Sequence, residues 1–146
     1  MKRSFSLIEL IFIIFILGVL AIIAIPRYLT VQENTKRNLV KSFAATLTRT
    51  VGPQLWTKSL VSGHNGSISY GKIPDMFEGD LLTIYIDIPE YLDDTSVNFQ
   101  NCVKSGTAQP FIRKTSEGVL NVFCRDGNAT QSPKFVVSEE DTYTFE

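Results

Sequence analysis

The chain has 146 residues, 20% of them charged, and its 14 basic and 15 acidic side chains leave a formal charge of −1. That balance conceals a division: residues 1–61 hold eight basic and two acidic side chains, a net +6, while the remainder holds six and thirteen, a net −7. An acidic C-terminal part argues against direct nucleic-acid binding, because nonspecific affinity comes largely from neutralising phosphates. A single histidine, His64 in a turn sequence, and two cysteines form too thin a donor set for a metal or acyl-transfer site, and no phosphate-cradling glycine motif is present. No enzymatic activity and no cofactor are expected.

At the N-terminus, Lys2-Arg3-Ser4 precedes an apolar run from Phe5 to Ile25 that carries one carboxylate, Glu9, and closes on Pro26. As a helix this run extends about 31 Å, against a hydrocarbon core of about 30 Å, so it can cross a bilayer. An acid at the centre of such a helix costs about 2.5–3.5 kcal/mol. Glu9 lies only about 6 Å along the axis from Phe5, where the cost is smaller, so the free energy permits the charge without requiring it.

The sequence Ser4-Phe5-Ser6-Leu7-Ile8-Glu9-Leu10, with Gly18 inside the apolar run and then Ala24-Ile25-Pro26, resembles the class III signal of type IV prepilins and type II secretion pseudopilins. The resemblance covers roughly the first thirty residues. It implies cleavage between Ser4 and Phe5 by a membrane-embedded prepilin peptidase, N-methylation of Phe5, and a mature chain that begins on the apolar helix. Ser4 stands where the family usually has Gly. The family role of Glu9 is to accept the terminal ammonium of Phe5 on a neighbouring subunit, and a charge pair in low dielectric is much stronger than in water. The implied partners are other pilin or pseudopilin subunits, the prepilin peptidase, an inner-membrane assembly platform and the lipid bilayer. The implied location is the bacterial inner membrane, single-pass with the head in the periplasm, followed by transfer to a filament.

Two other readings fit part of this segment. A conventional secretory signal has a shorter apolar region ending in small residues, whereas Ala21-Ile22-Ile23-Ala24 puts Ile22 where a small residue is wanted. An uncleaved single-pass anchor bearing a periplasmic binding protein suits the length but leaves Glu9 unexplained. Lys2 and Arg3 favour a cytoplasmic N-terminus while Arg27, Lys36, Arg37 and Lys41 oppose it, so the charge rule leaves orientation open.

From Arg27 the pattern becomes amphipathic, with Leu39, Val40, Phe43, Ala44, Leu47 and Val51 at three- and four-residue steps. Pro26 bends a helix rather than stopping it when neighbours satisfy the freed carbonyl. One long helix is therefore expected from about Phe5 to Val51. Gly52-Pro53 either ends it or bends it into a continuation to about Val61, because Leu55, Trp56 and Leu60 keep the spacing. The expected organisation is a leader over 1–4, a transmembrane and assembly helix over 5–26, an amphipathic helix over 27–61 and a β-rich head over 62–146.

In the head, the alternation of Leu82, Ile84, Ile86 and Ile88 with Thr83, Tyr85 and Asp87 predicts the clearest strand. Further strands are predicted over 68–70, 97–103, 111–114, 119–124, 134–137 and 142–145. A sheet of four or five strands wrapped on the amphipathic helix gives an α+β, pilin-like fold. Cys102 and Cys124 are most simply a disulfide in an oxidising compartment; the chain-entropy model gives about 3.4 kcal/mol for that loop. Asp126-Gly127-Asn128-Ala129-Thr130 makes Asn128 a possible glycosylation acceptor and resembles the stricter bacterial sequon, with an acid two places before the Asn; a Gly-containing turn explains it equally well. Asn65-Gly66-Ser67 meets only the looser rule. Asp75, Glu78 and Asp80, or Asp93 and Asp94, offer oxygen ligands to calcium, but neither cluster has the spacing of a defined calcium loop, and solvated loops account for both.

Overall fold

The structure, a computed structural model, describes residues 6–70 and 81–146. Ser4 and Phe5, and the acids Asp75, Glu78 and Asp80, lie outside the described residues. The chain is α+β and divides into two compact units, Met1–Thr35 and Lys36–Glu146.

Helix α1 spans Leu7–Thr46, a π-helical turn follows over Leu47–Val51, and α2 spans Gly52–Val61. The helical run from Leu7 is long and apolar enough to cross a membrane. Of the two ends left open by the sequence, Val61 is observed, and the π turn explains how. Pro53 has no N–H to give to a carbonyl four residues earlier, and its ring would crowd that carbonyl in a regular α-helix. Widening the preceding turn accommodates the proline, with Gly52 N–H bonded back to the carbonyl of Leu47.

In the first unit, Pro26 lies inside α1 and the helix continues through it. Large apolar side chains from Leu7 to Val31 are exposed all round, Ile22 at 75% for example. A helix apolar on every face has the character of a buried or membrane-spanning helix.

The second unit has its own core. Val40, Phe43, Ala44, Leu47, Val51 and Leu55 are buried, one stripe at helical spacing, and they pack with Ile68, Leu82, Phe111, Ile112, Val122 and Phe135. Among the described residues there are two small antiparallel sheets. Strand β1 (Gly106–Ala108) pairs with β4 (Tyr143–Phe145), and β2 (Asn121–Arg125) pairs with β3 (Lys134–Ser138). The two-residue period of β2 serves both faces: Val122 and Cys124 join the helix-side core, and Phe123 joins Ala108 and Phe145 in a second cluster. Helix and sheet are also joined by hydrogen bonds, since Thr48 Oγ1 accepts from Phe135 N–H at 3.0 Å and donates to the Ala44 carbonyl at 2.9 Å. At Gly52 an added Cβ would lie 3.0 Å from the Leu47 carbonyl oxygen and 3.3 Å from that of Pro133, so a larger residue would push the helix a few tenths of an ångström from the start of β3.

The expected single sheet is therefore divided, and several predicted strands are replaced. The segment predicted as the clearest strand begins instead with a short helix, α3 (Leu81–Tyr85). An apolar alternation this short is also compatible with a helical turn. The turn buries Leu82, brings Tyr85 and Ile86 partly onto the core and leaves Ile84 exposed. In place of the strand over 97–103 the chain forms two 3-10 turns, Asp94–Ser96 just before it and Phe99–Asn101 within it. The side chains of Asp93 and Asn98 accept from the N–H groups of Thr95 and Gln100, which draws the backbone out of a ladder. Residues 111–114 contribute only isolated bridges, Ile112 to Val122 and Lys114 to Leu92, because Asn121 Oδ1 takes the Lys114 N–H at 2.8 Å. Residues 68–70 form no strand, and β1 occupies a segment for which no strand was predicted.

Candidate functional site

Glu9 sits in the first turn of α1. Its Oε2 accepts the Ser6 N–H at 3.0 Å, so Ser6-Leu7-Ile8-Glu9 forms one half of a capping box: the acid three residues in satisfies an N–H that the helix cannot. The negative charge also lies at the positive end of the helix dipole, a favourable position. Around it Ile8, Phe12 and Ile13 frame a shallow, mostly apolar hollow. One turn and more beyond, Ile11, Ile14, Phe15, Gly18, Val19 and Ile22 frame another, with open space where a Gly18 Cβ would project. The first unit thus presents an exposed apolar surface with one carboxylate near its start, held, among the described residues, by a backbone N–H.

The head holds a hub that the sequence did not announce. Asp126, only 6% exposed, accepts from Ile68 N–H at 2.7 Å, Ser69 N–H at 3.3 Å and Gly127 N–H at 2.9 Å through Oδ1, and from the hydroxyls of Ser67 at 2.6 Å and Ser69 at 2.8 Å through Oδ2. Five donors on one buried carboxylate satisfy a charge that would otherwise be costly to bury. Beside it, Trp56 Nε1 donates to the Asn128 carbonyl at 2.7 Å and Ser59 Oγ donates to the Ser67 carbonyl at 2.5 Å. Gly66 is required there: it has φ of 80°, and a Cβ would lie 2.2 Å from the Asn128 carbonyl oxygen. In the sequence only Gly127, directly after Asp126, hinted at this cluster, and it does not distinguish a hub from a turn; Ser67 and Ser69 lie 59 and 57 residues away.

Cys102 and Cys124 are joined by a disulfide, both sulfurs in the core. Arg37 pairs with Glu139, and its guanidinium, first by hydrogen bond and then by charge, holds the Glu139 carboxyl below its usual range. Lys36 Nζ lies over the Tyr91 ring, 4.9 Å from its centre, and donates to the Glu117 carbonyl at 3.1 Å; the adjacent Glu90 carboxylate raises the Tyr91 hydroxyl's pKa. These contacts bring basic side chains of the helix onto acidic and aromatic groups of the head within the second unit.

His64 packs against Tyr70 with the rings tilted by 58° and their centres 4.7 Å apart, and its buried Nδ1 has no hydrogen-bond partner among the described residues. Asp93 Oδ1 is occupied by the N–H and hydroxyl of Thr95 at 3.1 and 2.6 Å. Among the described residues no three His, Cys, Asp or Glu side chains are grouped to hold a metal ion. No protein-family model, curated protein or solved structure matches the chain.

Proposed function

We propose that the chain is a structural subunit of a type IV pilus or type II secretion pseudopilus, cleaved between Ser4 and Phe5, held in the inner membrane, and extracted into a filament that serves pilus assembly, secretion or DNA uptake. The observation that carries this reading is Glu9: one carboxylate, on an exposed apolar helix, whose partner among the described residues is a backbone N–H. A lipid bilayer and a bundle of neighbouring helices are alternative apolar surroundings for the same surface. In either, a carboxylate gains most from a cation brought to it in low dielectric. Cleavage before Phe5 creates such a cation, a terminal ammonium, and a neighbouring copy delivers it. The acidic head and the resolved disulfide suit an exported domain.

Replacing Glu9 with Ala and assaying sheared surface filaments, secretion and transformation in parallel tests this. Loss in one assay is expected and identifies the machine. Full retention in all three removes Glu9 from assembly.

A further inference from the structure

We propose that Asn128 is an N-glycosylation acceptor, and that the oligosaccharide is transferred before the head closes around Asp126. This rests on the reading above only in requiring export of the head. Asn128, Ala129 and Thr130 are exposed on the loop that follows β2. The loop is built on the Asn128 side chain, whose Oδ1 accepts the Thr130 N–H at 2.9 Å, the Thr130 hydroxyl at 3.0 Å and the Gln131 N–H at 2.9 Å. Asn128 N–H donates to the Gln131 carbonyl at 2.9 Å, and its own carbonyl accepts from Trp56 at 2.7 Å.

Every polar atom of this residue therefore has a partner except Nδ2, which has none among the described residues. Nδ2 is the atom a sugar would occupy. A glycan there displaces no hydrogen bond among the described residues, and the sequon hydroxyl of Thr130 is already beside the carboxamide.

Asp126 fixes the order of events. An enzyme that reads an acid two places before the Asn needs that carboxylate, yet in the folded head it is 6% exposed and both its oxygens are occupied by Ser67, Ile68, Ser69 and Gly127. Gly127 is hemmed in as well, with the Gly66 carbonyl oxygen 2.3 Å from where a Cβ would lie. Only a chain in which residues 67–69 have not yet docked presents the acid and the Asn together. The donor class is an oligosaccharide joined through a diphosphate to a polyprenol. Nδ2 attacks the anomeric carbon and forms the C–N bond, the C–O bond to the diphosphate breaks, the polyprenyl diphosphate leaves with the electron pair, and one amide proton passes to a base on the transferase. Asn65 is the internal control: Gly63 stands two places before it, and its sequon serine, Ser67, is buried against Asp126.

The test is mass analysis of the tryptic peptide 126–134 from protein purified from the cells that make it. A glycan on Asn128 is expected, retained in Thr130→Ser, lost in Thr130→Ala, with Asn65 bare; an unmodified wild-type Asn128 overturns the proposal. For the order of events, the full chain, unglycosylated, is offered folded and then reduced and denatured to a purified bacterial oligosaccharyltransferase with its lipid-linked donor. Transfer about tenfold faster or more to the unfolded chain is expected, since folded chains expose the site only by local opening; equal rates overturn the order. The N-terminal mass of the same sample separates the two readings. A start at Phe5 with a bare Asn128 sinks this inference alone, and a start at Met1 with a glycan sinks the filament reading alone.

Discussion

Residues 7–31 and residues 40–55 belong to one helical run and are both rich in large apolar side chains, yet the first set is exposed and the second is buried. The difference lies in what stands between those side chains. From Val40 to Leu55 they form a single stripe with Lys41, Arg49 and threonines interspersed, and the stripe is covered by the chain's own strands and loops. From Leu7 to Ile25 they occupy every face, and they are exposed. One stretch consequently carries the stability of the head, and the other is the surface on which the proposed assembly depends.

Substitutions should separate the two regions cleanly. Leu47→Ala, at a fully buried position, is expected to cost about 2–5 kcal/mol, with the melting temperature of the head falling by roughly 4–8 °C for each kcal/mol. Loss of the disulfide through Cys102→Ser is expected to cost about 3.4 kcal/mol on the chain-entropy model. Ile14→Ala and Glu9→Ala should leave the melting temperature unchanged in thermal denaturation while altering assembly. A drop in head stability for Glu9→Ala would erase the distinction.

Asp126→Ala sharpens the comparison inside the head. It strands the hydroxyls of Ser67 and Ser69 and the N–H groups of Ile68 and Ser69, with an expected loss of about 2–3 kcal/mol by urea unfolding. Trp56→Phe removes a single hydrogen bond to the Asn128 carbonyl, so about 1 kcal/mol is expected in the same assay.

The smallest effect is electrostatic. Because Arg37 depresses the folded-state pKa of Glu139, the stabilisation is complete above the unfolded carboxyl pKa and is lost as pH falls through the lower, folded value. The pair is exposed and screened by salt, so Glu139→Gln should make a small difference to melting at neutral pH and none once pH is well below the carboxylate range.

How far the sequence disclosed this structure follows from the length of each pattern. The helix was legible because its periodicity extends over many turns, and even its ambiguous end at Gly52-Pro53 preserved the apolar spacing that the π turn then restored. Strands β2, β3 and β4 were legible to within a residue or two. Residues 82–88 misled because an alternation of seven residues is too short to separate a strand from a helical turn, and the arbiter was the tertiary burial of Leu82 beside Tyr85 and Ile86. The 3-10 turns were missed because side-chain capping by Asp93 and Asn98 competed successfully with a β-ladder. In the candidate site, Glu9 was conspicuous as a charge among apolar residues. Its bond to Ser6 was readable in principle from the Ser-x-x-Glu spacing. The Asp126 hub was not readable, since four of its five donors are nearly sixty residues away in sequence.

The most direct measurement is the N-terminal mass of the protein isolated from membranes or filaments. A chain beginning at an N-methylated Phe5 is predicted. A chain that retains Met1 to Ser4 and is recovered only as an anchored monomer would contradict the account.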